Sequence, residues 1–185
     1  MTSVVPVPSA LFDSLRKEVL AAAWFAALGE PLVEEDLSEA RTYADSLALG
    51  ALDISAVHDW PAAEATMKSS DWSAAWWERE EALRRDLLAT SEALLPERAL
   101  WTSLTELTTG AGDLVHGKAA AAAARTGGAA VASVHVAAGA AAQAVYQLAL
   151  ARLAQDGSSP FESKFRLFAA GRWPLGVVGS RLVLF

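Results

Sequence analysis

Apolar positions recur every three or four residues along most of this chain, which predicts a series of amphipathic helices. Phe12, Leu15, Val19, Ala22 and Ala26 make one stripe of a helix predicted over 11–28, with Ser9 as its cap and Gly29 and Pro31 as its stop. Leu20, Trp24 and Leu28 make a second stripe, so this helix is expected to be covered on more than one side. A second helix is predicted over 33–49, with Leu37, Ala40, Ala44 and Leu47 facing inward. Its first turn holds Glu34, Glu35 and Asp36, where the helix dipole favours negative charge. Residues 51–69 are less regular, with Pro61 placed to start a short helix.

A third helix is predicted over 71–94, capped by Ser70 and stopped by Pro96. Glu80 with Arg84, and Glu81 with Arg85, stand four residues apart in the favourable order for ion pairs along it. Pro96 opens a fourth helix carrying Leu100, Trp101, Leu104 and Leu107. Gly110-Ala111-Gly112 weakens that helix, and Asp113 is placed to cap a fresh start. Residues 114–126 and 129–155 then read as an alanine-rich helical hairpin turning at Gly127-Gly128. Val134, Ala138, Ala141, Val145 and Leu148 alternate by four and three residues, giving a seam at which alanine lets backbones approach closely.

The pattern changes near the end of the chain. Ser159-Pro160-Phe161-Glu162 combines a capping serine, proline at the first helical position and glutamate at the third, predicting a helix over 160–170. Beyond it, 175–178 and 181–185 are β-prone runs separated by Gly179-Ser180, the signature of a hairpin with glycine first in a type II′ turn. The fold class expected is all-α: a bundle of about six or seven helices in one domain, 1–185, with the 160–170 helix and a small 175–185 hairpin packed on it.

Composition narrows the function more by exclusion than by choice. The chain has 185 residues, 53% of them hydrophobic, and no cysteine. Disulfides and thiolate chemistry are therefore ruled out, and a cytoplasmic location is expected. The start of the chain lacks a basic segment followed by an apolar run, so no secretion signal is expected. A formal charge of −7 argues against general nucleic-acid binding. That charge is uneven, −7 over 1–60, −3 over 61–126 and +3 over 127–185, so the acidic front and basic back are expected to attract each other within or between subunits. From Thr126 to Ala151 no ionised side chain interrupts the chain, long enough for a span of ~20 residues. His135, Gln143, Gln147 and the dominance of alanine point to a buried central helix instead, with no membrane partner.

Several residue groups are candidates for chemistry. If the alanine-rich arms pair about Gly127-Gly128, His116 and His135 come within three or four residues of register, ~5 Å along the axes. With Asp113 they make two imidazoles and a carboxylate, a set suited to a divalent metal such as zinc or non-haem iron. The acidic group Glu34, Glu35, Asp36, Glu39 and Asp45 reads as a charged outer face. Seven tryptophans are present; Trp72, Trp76, Trp101 and Tyr146 are the candidate lining of an apolar ligand pocket. Lys164, Arg166, Arg172 and Arg181, interleaved with Phe165, Phe168 and Trp173, suggest a docking surface complementary to the acidic front.

The leading expectation is a non-enzymatic helical interaction or scaffold protein, a homo-oligomer joined through the alanine-rich hairpin or the terminal strands, with a protein partner. Two alternatives stand beside it. One is a metal-dependent helical enzyme using Asp113, His116 and His135; the other is a small-molecule sensor with a tryptophan-lined pocket. Only the metal reading calls for a cofactor.

Overall fold

A computed structural model describes residues 9–185; the part of the leader expectation that concerns residues 1–8 lies outside it. Among the described residues seven helices form: α1 (Ser9–Ala21), α2 (Glu34–Ser46), α3 (Trp60–Met67), α4 (Ala74–Leu94), α5 (Glu97–Arg125), α6 (Val131–Leu153) and α7 (Pro160–Ala169). Three short strands, β1 (Asp53–Ala56), β2 (Pro174–Val178) and β3 (Arg181–Leu184), make one sheet in the order β1-β3-β2. The architecture is the expected helical bundle with a small C-terminal sheet.

The helical hairpin is the spine. α5 and α6 form the most extensive helix pair, reversing at Gly127-Gly128. Ala119, Ala122, Ala137, Ala141 and Ala144 are almost completely buried along it. Such small side chains let the backbones approach closely, so this seam is occupied within the chain. α6 is long and apolar enough to cross a bilayer, but most of its most apolar stretch is buried against other helices. Expected to break near Gly110 and restart at Asp113, α5 instead runs unbroken. Asp113 is an exposed residue inside the helix, not a cap. Tertiary packing of Leu107, Ala111 and Val115 on the core outweighs the modest propensity cost of the glycines.

α1 stops at Ala21, a full two turns before the position its stripes suggest. Its end is bonded elsewhere: the Trp24 indole N–H donates to the Val19 carbonyl at 2.7 Å, and Ala23 N–H donates to the Ala169 carbonyl at 2.9 Å. The chain then turns through Phe25 at a positive φ of 61°. Trp24, Phe25 and Leu28 reach the core from this turn, while Leu20 is 71% exposed. Trp24, Phe25, Phe168, Trp173, Trp60 and Phe185 continue as a chain of aromatic contacts with centroids 5.2–6.4 Å apart. Edge-to-face geometry dominates it, as the ring quadrupoles favour.

The C-terminal hairpin forms with Gly179 at φ +59° and Ser180 not at positive φ, which fits a type II′ turn and excludes type I′. An unforeseen third strand completes the sheet. β1 pairs parallel with β3, Asp53 opposite Arg181 and Ala56 opposite Leu184. β3 therefore sits in the middle, with both of its edges used within the chain. β2 keeps one outer edge, and there Trp72 bridges Val178 while Ser73 N–H donates to the Val177 carbonyl at 2.8 Å. This pairing explains why α4 starts at Ala74, capped by Ser73, and not at 71 behind Ser70.

Candidate functional site

The acidic front and basic back meet inside the molecule. Arg172, 3% exposed, is bonded along its whole guanidinium. Its Nε donates to Asp36 at 2.9 Å, and its remaining nitrogens donate to the carbonyls of Ala27, Glu30 and Pro31 at 2.6–2.7 Å. Asp36 also accepts from Val33 N–H at the start of α2. Arg166 approaches Glu39 at 2.8 Å. The acidic group on α2 is thus not a uniformly solvated face: Asp36 is buried and structural, and Glu34 pairs with Arg41 on the outside. The basic block likewise spends Lys164 and Arg172 on buried carboxylates, while Arg166 and Arg181 remain exposed.

A second buried pair lies at the base of a pocket. Lys164 on α7 donates to both carboxylate oxygens of Glu80 on α4 at 2.7 Å. Glu80 was expected to pair with Arg84 along its own helix. Burial drew it to a partner across the fold, and Arg84 pairs with Glu81 instead. Tyr43 of α2 donates its hydroxyl to Glu80 at 2.5 Å, and the Trp76 indole N–H donates to that hydroxyl at 2.8 Å. The Lys164 ammonium also lies 5.8 Å from the Trp76 ring centroid, within cation–π range. Four side chains from three helices so form one closed polar network in an apolar wall.

Burial first, and then the neighbouring Glu80 carboxylate, holds the Tyr43 phenol well above its ordinary 10.0. A folded value above the unfolded one means stability that is complete below pH 10 and is lost as pH rises toward the folded value. Tyr43→Phe is therefore expected to flatten the alkaline limb of the stability profile, by as much as about 1.4 kcal/mol per pH unit for one proton. Urea unfolding of both proteins from pH 8 upward checks this, and parallel profiles above pH 10 would refute it.

The pocket above this network has a volume of about 230 Å³. Trp72, Trp76 and Trp77 line it with Met67, Val136 and Ala140, and Glu80, Lys164 and Gln143 supply its polar groups. Trp72 and Trp76 meet edge to face at 5.4 Å. Gly176 of β2 makes their position possible. A Cβ there would stand 2.6 Å from the Trp72 indole nitrogen and 2.9 Å from the Trp76 ring, and its φ of +128° suits only glycine. Trp77 stands half out of the fold at the rim, as does Val136.

Two of the four residues expected to line a pocket, Trp72 and Trp76, come together there. The other two do not. Trp101 is exposed on α5, and Tyr146 lies further along α6 beside Arg84, where burial raises its phenol pKa against the pull of that cation. Helical spacing placed each residue on an apolar face without saying which faces meet. Glu80 and Lys164 were missed as pocket residues. A charged pair whose partners lie 84 positions apart leaves no local spacing to read.

His116 and His135 are brought together as the helical hairpin requires, with ring centroids 4.9 Å apart and planes inclined by 31°. Both are exposed. Asp113 does not complete a three-ligand set with them, and among the described residues no group of three or more metal-ligating side chains converges. Comparison with protein-family models, curated proteins and solved structures finds no match.

Proposed function

We propose that this protein binds a small amphipathic molecule in the pocket formed by Trp72, Trp76 and Trp77. The observation that carries this reading is the joining of three indoles with a buried Glu80–Lys164 pair in a single concavity. The indoles offer flat apolar surface for an aromatic or aliphatic body. Two of the lysine's three protons are committed to Glu80, and the third is available to a ligand's acceptor atom. A ligand with an apolar body and one hydrogen-bonding head fits that combination. Because the network is held from α2, α4 and α7 at once, its polar groups are set before a ligand arrives, which lowers the cost of binding.

Anilinonaphthalene sulfonate, an aromatic body with an anionic head, is a direct probe. Its emission is expected to rise in the presence of the native protein, with quenching of tryptophan emission. Ala140→Phe, which fills the mouth from a partly exposed position on α6, is expected to abolish both signals while the helical circular dichroism is kept. Binding undiminished in Ala140→Phe, or no binding by the native protein, would overturn the pocket reading.

A second reading, a helical interaction protein that self-associates, is favoured by apolar side chains left open elsewhere. Leu20 is 71% exposed, Val131 73% and Leu94 52%. None of these three lines the tryptophan pocket, so the two readings are compatible.

A further inference from the structure

We propose that His116 and His135 form a two-imidazole site for a divalent transition-metal ion, such as Cu²⁺, Ni²⁺ or Zn²⁺, on the outer face of the α5–α6 hairpin. The argument is one of distance and support. A metal bonds an imidazole nitrogen at about 2.0–2.1 Å and the ring centroid lies roughly 1.1 Å further, so two imidazoles on one ion at 90–110° hold their centroids about 4.5–5.2 Å apart. The observed 4.9 Å falls inside that interval.

The two rings come from different helices, so their spacing is set by the most extensive helix pair in the fold. Ala119, one turn beyond His116 on α5, is fully buried, as is Ala137, two residues beyond His135 on α6. The backbones that carry the histidines are therefore fixed, and only the side-chain torsions adjust on binding. Both rings are exposed, so each can turn to aim a nitrogen outward and an ion reaches them from solvent. Imidazole is a ligand that copper, nickel and zinc share. With two protein ligands, the remaining positions on the ion go to water, which makes this an open and exchangeable site, unlike a closed structural one.

This inference does not rest on the pocket. Isothermal titration of the untagged full-length protein with Cu²⁺, Ni²⁺ and Zn²⁺ is the test, with the visible absorption of bound Cu²⁺ as an independent report of nitrogen ligation. One ion per chain is expected. The second imidazole acts at high effective concentration once the first has bound, so either His116→Ala or His135→Ala is expected to weaken binding on the order of 100-fold. His58→Ala, at an exposed position in the loop before α3, is expected to leave it unchanged. Since both rings are on the surface, the variants keep the fold, which circular dichroism verifies. The proposal is overturned if none of the three ions binds at millimolar concentration, or if either single variant binds as tightly as the native chain.

Discussion

Arg172→Leu is expected to be among the most damaging single changes in the molecule, lowering stability by about 3–5 kcal/mol. The leucine would fill much of the space, but Asp36 would remain as a buried carboxylate without its cation. The carbonyls of Ala27, Glu30 and Pro31 would lose their donor together. The buried Asp36 carboxylate left without its partner bears its full desolvation cost, and a domain has only about 5–15 kcal/mol in total to lose. Arg172→Lys is expected to recover little. A lysine ammonium offers three donors from one point, whereas the planar guanidinium reaches a carboxylate and three carbonyls in different directions. Urea unfolding measures the loss, and amide exchange over 22–33 locates it, since that loop is what the arginine holds. A loss below about 1 kcal/mol for Arg172→Leu would mean the loop is fixed by its aromatic side chains instead.

The Glu80–Lys164 pair carries the second large effect. Glu80→Ala leaves a buried ammonium and an undonated Tyr43 hydroxyl, and Lys164→Ala leaves a buried carboxylate. Each is expected to cost about 3–5 kcal/mol, because one unpaired charge in a nearly dry site is far worse than two paired ones. The double change Glu80→Gln with Lys164→Met removes both charges, fills the volume and keeps an acceptor for Tyr43. It is expected to be less harmful than either Glu80→Gln or Lys164→Met alone, which no additive scheme of two destabilising changes allows. Equal or greater damage in the double variant, measured by urea midpoints at constant m, would show that the pair stabilises in its own right and does more than neutralise.

Most helices and their order were legible from spacing alone, because a buried face recurs at the helical period whatever it packs against; the exception is α5, read as two helices and found as one. Val134, Ala138, Ala141, Val145 and Leu148 all proved buried along α6. The hairpin turns were legible too, at Gly127-Gly128 and at Gly179. What escaped were features decided by distant partners. β1 is four residues of mixed character and becomes a strand only because β3 offers it an edge. α1 ends early because the chain beyond Ala21 bonds to the end of α7. Ser159, read as a side-chain cap, makes no such bond, and Glu162 turns to Arg152 instead of back to the cap. For the site, periodicity gave the tryptophan positions but not their neighbours. The approach of His116 to His135 was readable because a tight turn fixes register across both arms. Lys164 and Glu80 have no such turn between them.

The placement of β3 in the middle of the sheet has a consequence for the order of assembly. The strand that pairs with β1 lies more than a hundred positions downstream, and so do the arginine that satisfies Asp36 and the strand over which Trp72 and Trp76 settle. During synthesis the amino-terminal half leaves the ribosome with its loop carbonyls, its carboxylates and much of its apolar surface still waiting. The alanine-rich rods can zip together from their own turn, since their contacts are local, while the long-range closures that complete the sheet come slowly. The nascent protein therefore passes through a stage in which a finished helical hairpin trails behind an unsatisfied front. In that interval the chain is most open to aggregation and to chaperones.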